Sequence, residues 1–451
     1  MKRTFLALGL VVAMFASFAC ERRDGGQMTG GDNTGPVKVG VYGDLSGQTS
    51  SFGQSTKNGI EMAFDEINKA GGVNGRQIVT IIEDDQGQPA QAATVVTKLI
   101  NQDRVHAVLG EVASSNSLAA APKAQEGKIP MITPSSTNPK VTQVGDYIFR
   151  VCFTDDFQGA VAAKFAANTL KAKTAAILGD VNSDYSRGMA QFFEQEFARL
   201  GGQIVGRQSY TQTDQDFKGQ LTAIRSLNPN VIFVPGYYGQ VGVIAKQAKE
   251  LGINAPLLGG DGWDGPPLWE LGGSSLDGSY MVNHYSTDDP SPAVQKFVVA
   301  YRSRFGTNPD AIAALAYDAA YILVDAIKRA GTTDGAKLRD AIAQTSGYPG
   351  VTGSITINPQ RDAVKPAVVF ELRDRKFVYK ETIQPGGGDA TAGASPAAAA
   401  GASPAGAATT GASPTAATGA APVGNTNTGA TTTTNTANTS TTINSTTNSN
   451  P

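Results

Sequence analysis

The stretch "VKVGVYG" at residues 37–43 decides the fold prediction. It is rich in apolar and β-branched residues, which is typical of a strand buried inside a parallel sheet. A helical pattern follows at 55–70, and Gly71-Gly72 marks its end. Strands and helices then alternate, which predicts a parallel sheet with crossover helices. The further strands are predicted at 77–83, 105–110 and 129–133, with helices at 89–101 and 117–126.

The same pattern starts again at "TAAILGD", residues 174–180. Because the strands of each half follow in the same order with similar spacing, the sequence predicts two doubly wound α/β lobes in tandem. Residues 350–382 have the pattern of antiparallel strands with a turn at Asn358-Pro359. The other strands of the second half are predicted at 203–210, 230–236 and 255–260, with helices at 186–200, 217–227, 239–251, 292–305, 310–330 and 334–345.

The chain changes character after about residue 385. Residues 385–451 consist mainly of Ala, Gly, Ser, Thr, Pro and Asn, and Asp389 is their one charged residue. Such a segment buries too little apolar surface to offset its backbone entropy, so we expect a low-complexity, disordered tail. A wall-associated or glycosylated spacer is the functional alternative to a plain tail.

Residues 1–20 have the pattern of a secretory signal peptide. A basic start at Lys2-Arg3 precedes an apolar run from Phe5 to Phe18, which is too short to span a bilayer. Cys20 stands where a bacterial lipoprotein is cleaved and acylated, although Ser17 occupies a position where such signals usually carry Leu. We therefore expect a protein of the periplasm or cell envelope that contacts the membrane through a lipid anchor only, with ordinary cleavage nearby as the alternative. Residues 21–35 would form a flexible tether.

Composition excludes several classes of function. The net charge of −2 provides no basic surface for nucleic acid. With Cys20 lipidated, Cys152 has no partner, so no internal disulfide is expected. His106 and His284 are isolated in the sequence, which favours a structural role for each and predicts neither a metal site nor a cofactor.

Four polar loops follow predicted strands. In open α/β sheets, ligands bind beyond the carboxyl ends of the strands. Two lobes that face each other across a cleft would therefore enclose a small ligand between loops from both halves. These loops are 111–117 and 134–139 in the first half, and 237–240 and 260–264 in the second.

One of these loops contains a literal G-x-G-x-x-G, within "GGDGWDG" at residues 259–265. A dinucleotide loop requires this motif after the first strand of its unit, with a helix N-terminus that receives the pyrophosphate. Here the motif follows the fourth strand of its half, and Pro266-Pro267 come next. Asp261 and Asp264 would also repel phosphate. The sequence therefore predicts no dinucleotide site.

The four loops instead suit a free amino acid. Asp261 would pair with the α-ammonium, because a buried charge requires a partner, and besides Glu111 it is the only carboxylate expected to point inward. Hydroxyl and backbone N–H donors at 113–117 and 134–139 suit the α-carboxylate. The alternative is that these residues only end strands and cap helices, with Asp261 or Asp264 as an N-cap.

The order and spacing of these motifs resemble the periplasmic leucine/isoleucine/valine-binding proteins, the solute receptors of branched-chain amino-acid ABC importers. The resemblance covers nearly all of residues 36–382. It is carried by "GDLSGQTSSFGQSTKNGIEMAFDEINKAGGVNG" (43–75), "MITPSSTNP" (131–139), "GYYGQ" (236–240) and "GGDGWD" (259–264).

The resemblance implies a role for each matching polar residue. Ser114 would bind the ligand carboxylate through its hydroxyl and N–H, Ser135 would make a backbone contact, and Thr137 would offer a hydroxyl to the ammonium. Asp261 aligns with the acid that pairs with the ammonium, and Gly262 follows it. Well-known leucine receptors carry Glu at this position, so the shorter Asp261 leaves the preferred side chain open.

Aromatic positions around the ligand also match. Phe52, Tyr185 and Tyr237 align with them, and Trp263 is a further candidate wall by proximity alone. Phe52 replaces a common Tyr, and Ala113 occupies a position that carries a disulfide cysteine in some members.

The resemblance further implies the type I periplasmic-binding-protein fold and a monomer that closes around an amino acid, with Leu, Ile or Val preferred, and delivers it to an ABC permease and ATPase complex. One alternative is a sensor or receptor of the same fold for amides, urea or aromatic acids. A second is a hydrolase of amino-acid derivatives, which would need a nucleophile and base within reach. We expect lobe 1 at 36–153 plus 285–349, lobe 2 at 154–284 plus 350–383, and a three-segment hinge near 153–156, 282–286 and 348–353.

Overall fold

The computed structural model describes residues 35–385. The predicted signal peptide, Cys20, nearly all of the tether and the C-terminal tail lie outside this range. Between residues 35 and 385, no helix combines the length and the apolar character needed to cross a bilayer.

Lobe 1 is built on a five-stranded parallel sheet with the order β2-β1-β3-β4-β5. The first strand lies inside this sheet and is buried along nearly its whole length, as its apolar composition predicts. The strands are β1 (Val37–Gly43), β2 (Ile78–Asp84), β3 (Ala107–Leu109), β4 (Met131–Thr133) and β5 (Ile148–Arg150).

Helices cover both faces of this sheet. Ile60, Phe64 and Ile67 share one face of the first helix, and they bury it against the sheet and a long helix at Ala311–Ala330. The helices of lobe 1 are α1 (Ser50–Lys69), α2 (Pro89–Asn101), α3 (Ser114–Gly127), α4 (Lys140–Gln143), α10 (Pro292–Phe305), α11 (Ala311–Ala330) and α12 (Gly335–Ala343).

Lobe 2 is built on a seven-stranded sheet with the order β15-β14-β10-β9-β8-β6-β7. The strands from β10 to β7 run parallel, whereas β14 pairs antiparallel with both β10 and β15. The strands are β6 (Thr174–Asp180), β7 (Gln203–Tyr210), β8 (Val231–Phe233), β9 (Leu257–Gly259), β10 (Ser279–Asn283), β14 (Ala367–Arg373) and β15 (Lys376–Ile383).

Five α-helices complete lobe 2. Two of them begin at residues that contact lobe 1, Asp184 and Tyr238. The helix at Asp155–Lys164 continues into one π-helical turn at Phe165–Thr169. A 3₁₀ turn at Asp261–Trp263 follows β9. The helices are α5 (Asp155–Lys164), α6 (Asp184–Arg199), α7 (Lys218–Leu227), α8 (Tyr238–Glu250) and α9 (Pro266–Gly272), followed by a 3₁₀ turn at Gly273–Leu276.

The chain crosses between the lobes three times, and the third crossing differs from the sequence-based expectation. A small antiparallel sheet, β11 (Tyr348–Gly350), β12 (Gly353–Ile357) and β13 (Ala363–Val364), follows α12. Its apolar side chains Ile355, Ile357 and Ala363 are buried in the core of lobe 1. Lobe 1 therefore extends to Val364, and the third crossing lies at Lys365-Pro366 rather than near 348–353. The predicted turn at Asn358-Pro359 joins β12 to β13.

Candidate functional site

A nearly closed cavity of about 10 Å³, room for about one water molecule, lies between the two lobes at the carboxyl ends of their strands. The two lobes are thus packed closely enough to leave little free space at this site. Its lining comes equally from both lobes: Phe52, Val112, Ser135 and Ile312 from lobe 1, and Tyr185, Tyr237, Asp261 and Gly262 from lobe 2.

Asp261 provides the acidic group of this cavity. It begins the 3₁₀ turn after β9 and is 3% exposed. Its Oδ2 accepts hydrogen bonds from the Ser135 hydroxyl at 3.3 Å and from His284 Nε2 at 3.0 Å. Its Oδ1 is also buried and has no hydrogen-bond partner among residues 35–385. One oxygen of a buried acid is thus available to a donor placed in the cavity.

His284 is a site residue that the sequence analysis missed. It follows β10, at the second crossing, and its ring stacks on Phe153 of the first crossing with centroids 3.7 Å apart. Burial lowers the pKa of His284 below its ordinary value, although the bond to Asp261 acts in the opposite direction. We therefore assign a neutral ring that donates from Nε2 to Asp261. A neutral donor orients the acid without cancelling its charge.

The predicted hydroxyl residues of lobe 1 lie beside one another, although only Ser135 lines the cavity. Ser114 begins α3, and its hydroxyl accepts a hydrogen bond from the Asn138 N–H at 3.2 Å, which leaves its own proton for another acceptor. Its backbone N–H belongs to the first turn of a helix, where amides have no intrahelical partner. Thr137 is buried, and its hydroxyl has no hydrogen-bond partner within the described range.

The predicted aromatic residues form one wall that spans both lobes. Tyr185 and Tyr237 are stacked with centroids 5.3 Å apart, and Phe52 of lobe 1 meets Tyr237 edge-on at 5.9 Å. The Gly262 N–H donates to the Tyr185 hydroxyl at 3.2 Å, which holds the ring against the turn that carries Asp261. Val112 and Ile312, which the sequence did not single out, complete the apolar lining.

Trp263 is not a wall of the cavity, contrary to the expectation from its position. The 3₁₀ turn directs its side chain into the core of lobe 2, where it is 0% exposed and donates from Nε1 to the Val234 carbonyl at 3.0 Å. A Cβ at Gly259 would lie 2.1 Å from this ring, so that glycine is required for the packing. The glycines of "GGDGWDG" therefore allow close packing around an acid.

Arg150, at the end of β5, shapes the loop that carries Ser135 and Thr137. It is 0% exposed, yet its guanidinium donates to the Ser136 carbonyl and to the Asn138 carbonyl at 2.8 Å. Its Nε pairs with Asp362 at 2.5 Å, which satisfies the buried charge. The loop is thus held by hydrogen bonds to its backbone.

The two lobes contact each other directly around the cavity, so the structure is a closed form. The Ser115 hydroxyl, at the start of α3, donates to the Asp184 carboxylate at 3.0 Å and accepts from the Asp184 N–H at 3.0 Å. The Asn138 side chain donates to the Asp184 carbonyl at 2.7 Å. On the other side, the Tyr238 hydroxyl donates to the Gln48 carbonyl at 3.2 Å.

Comparison with known proteins assigns this architecture. The family model described as "Periplasmic binding protein" matches residues 36–376. The chain belongs to this family. The fold predicted for this periplasmic binding protein, two parallel-sheet lobes of type I, is thereby confirmed.

Several periplasmic binding proteins for amino acids are similar to this chain. A leucine-binding protein from Thermotoga maritima has 39% sequence identity and a TM-score of 0.75, over 77% of this chain and 99% of that one. A branched-chain amino acid transporter substrate-binding protein from Streptococcus pneumoniae, solved with isoleucine, has 32% identity and a TM-score of 0.74, over 78% and 100%. A leucine-, isoleucine-, valine-, threonine- and alanine-binding protein from Pseudomonas aeruginosa is 30% identical over 329 residues, 72% of this chain and 87% of its own length.

These relatives confirm the predicted family of branched-chain amino acid receptors. Membership makes this chain an extracytoplasmic solute-binding protein of the kind that serves ABC transporters. Members of the family are substrate-binding proteins rather than enzymes.

Proposed function

We propose that this protein binds a free amino acid, with leucine, isoleucine or valine preferred, between its two lobes and delivers it to an ABC importer. One observation carries the proposal: the buried Asp261 keeps an unpartnered oxygen in a small cavity that is otherwise lined mainly by apolar and aromatic side chains. An α-ammonium would pair with this oxygen, and an aliphatic side chain would contact Phe52, Val112 and Ile312. An acid facing a wholly neutral ligand would instead remain uncompensated.

The carboxylate of the ligand would be bound by lobe 1. Ser114 supports this role with a hydroxyl proton and an N–H at the start of α3, where the helix dipole favours a negative charge. Ser135 and Thr137 would complete the polar end next to Asp261. Because the ligand then contacts both lobes, it stabilises the closed form over the open one.

The proposal also covers the lipid anchor, the oligomeric state and the hinge of the mature protein. Acylation at Cys20 would hold the receptor at the membrane, and we propose that it acts as a monomer. The three crossings, with Phe153 stacked on His284 at their centre, would provide the hinge.

A panel of ligands tests the proposal. Ligands that bind only the native state raise its stability by RT ln(1 + [L]/Kd), which is about 2.7 kcal/mol at a hundredfold excess over Kd. Thermal-shift measurements on residues 36–385 with the twenty amino acids, urea, acetamide and benzoate should give their largest shifts with leucine, isoleucine or valine. A shift with benzoate or acetamide alone would favour the sensor alternative instead.

Asp261→Asn should abolish the shift while leaving the unliganded protein folded. Removing one partner of a buried charge pair costs about 3–5 kcal/mol, which weakens binding at least a hundredfold. Asp288→Asn removes the same charge at an exposed position and serves as the control. Unchanged affinity in Asp261→Asn would refute the role of this acid, and ester or amide hydrolysis that depends on Asp261 would support the hydrolase alternative.

A further inference from the structure

Four buried side chains with unpartnered polar atoms meet where the first crossing enters lobe 2. Asp155, the first residue of α5, has no partner for either carboxylate oxygen, and Gln158 has none for either amide atom, among residues 35–385. The Thr137 hydroxyl and Asp261 Oδ1 share this condition. Asp155 and Gln158 are 0% exposed, so water at the protein surface does not satisfy them.

The positions of Asp155 and Gln158 connect them to the acid of the cavity. The Asp155 N–H donates to the Thr137 carbonyl at 2.9 Å, which joins α5 to the polar loop of lobe 1. Gln158 Oε1 lies against Gly260, where a Cβ would approach it to 2.2 Å, and Gly260 directly precedes Asp261. Both residues therefore lie close to Thr137 and Asp261, directly behind the residues that line the cavity.

A buried carboxyl group without a partner has two stable conditions: it carries a proton, or it faces a cation. Burial is the main cause that raises the pKa of Asp155 well above its ordinary value, and the charge of Asp261 raises it further. Arg150 and the Thr137 hydroxyl lower it, although that hydroxyl lies outside hydrogen-bond geometry. The other titratable groups that interact with Asp155 or Asp261 are Asp156 on the same helix, Tyr185 on α6, Tyr237 after β8, Cys152 before the first crossing, Asp264 in the turn after Asp261, and His284, which contacts Asp261.

We propose that Asp155 is a second carboxylate of the ammonium subsite, and that it releases its proton to solvent when the ammonium of the ligand enters. In the closed complex, ammonium N–H groups would donate to Asp261 and Asp155 and to the Thr137 hydroxyl, while the Gln158 carboxamide would orient Asp155. The subsite takes a primary ammonium, which supplies three N–H donors and the positive charge that keeps Asp155 ionised. This inference rests on the proposed function, because it requires an amino-acid ligand.

Proton release makes affinity depend on pH, and the sign follows from linkage. The free protein holds a proton on Asp155 that the complex lacks, so acidic conditions favour the free protein. Affinity should therefore rise with pH while Asp155 of the free protein remains protonated, by up to about tenfold per pH unit when one proton is released. The ligand remains a zwitterion between pH 5.5 and 7.5 and adds no pH dependence of its own.

Isothermal titration calorimetry measures this release. The probe is L-leucine, or the amino acid with the largest thermal shift, titrated at pH 7.5 in phosphate and in Tris, whose ionisation enthalpies differ. Wild-type protein should release up to one proton per ligand. Asp155→Asn imitates the protonated acid, so it should release none, bind with a Kd independent of pH, and match the wild type at the acidic end of the range.

Asp156→Asn is the matched control, because Asp156 is exposed on the same helical turn. It should keep the proton release of the wild type, and its pH dependence should only move slightly to lower pH, because the charge of Asp156 raises the pKa of Asp155. A pH dependence that persists in Asp155→Asn would assign the proton to another group, such as His284, and overturn the inference. Wild-type binding without proton release would overturn it as well, and this result needs no variant. Absence of binding with every amino acid would overturn the proposed function, and the inference with it.

Discussion

The two lobes place their polar groups at the cavity by different means. In lobe 1, the loop with Ser135 and Thr137 is held by a buried ion, Arg150, which hydrogen-bonds the loop carbonyls and pairs with Asp362. In lobe 2, the turn with Asp261 is held chiefly by apolar packing, because Trp263 anchors it in the core. The loop of lobe 1 thus depends on a buried ion pair, and the turn of lobe 2 depends on the packing of apolar side chains. Mutations should therefore affect them with different magnitudes and by different mechanisms.

Arg150→Met should have the largest effect on stability. It removes the cation that pairs with Asp362 and the guanidinium donors to two loop carbonyls, and breaking a buried pair from one side costs about 3–5 kcal/mol. Urea denaturation followed by circular dichroism measures this loss. Arg207→Met is the control, because the Arg207 pair with Glu194 is exposed at the surface and should cost at most about 1 kcal/mol. Equal effects in the two variants would contradict the proposed scaffold of lobe 1.

Trp263→Phe should have an intermediate effect, about 1–3 kcal/mol. The smaller ring leaves a cavity in the core, and the buried Val234 carbonyl loses its donor. Because Asp261 is only two residues away, the affinity for the amino acid should fall together with stability, as measured by denaturation and calorimetry on the same samples. Trp269→Phe, at a partly buried site, is the matched control. Loss of stability with unchanged affinity would show that Asp261 is positioned independently of the core.

Ser115→Ala should have the smallest effect. Its hydroxyl bonds Asp184 across the cleft, and a hydrogen bond contributes about 0.5–1.5 kcal/mol net. The lost hydrogen bond should destabilise only the closed form. Affinity should therefore drop a few fold while the unfolding free energy stays nearly constant. Interlobe distances from double-labelled protein should show fewer closed molecules at a fixed ligand concentration. Ser226→Ala removes an exposed hydroxyl on the surface of lobe 2 and should change neither quantity.

Much of the fold was predictable because periodic apolar patterns report burial directly. Most parallel strands and crossover helices of both lobes were expected, whereas strands β5 and β10 and helix α5 were not. Arg150 is the last residue of β5, and its charge alone would suggest a position at the protein surface. Its burial depends on partners at 136, 138 and 362, which no local pattern connects to it.

The candidate site was predictable to the extent that it lies at strand ends. Asp261 and the hydroxyl loops followed from that rule, and their binding roles stay predictions. His284 was missed because its relation to Asp261 exists only after folding, across 23 residues. The interpretation of Trp263 was wrong because proximity in sequence does not give direction, and a 3₁₀ turn points neighbouring side chains to different sides.

The late third crossing has a consequence for how the polypeptide assembles during synthesis. The sheet of lobe 1 is complete at Arg150, but helix α11 and the strands up to Val364, which seal its core, come more than a hundred residues later. The first five strands of lobe 2 emerge in between. As the chain leaves the ribosome N-terminus first, lobe 1 therefore exposes an apolar sheet face until most of lobe 2 has been made. Apolar surface exposed in such an incomplete chain is prone to aggregation.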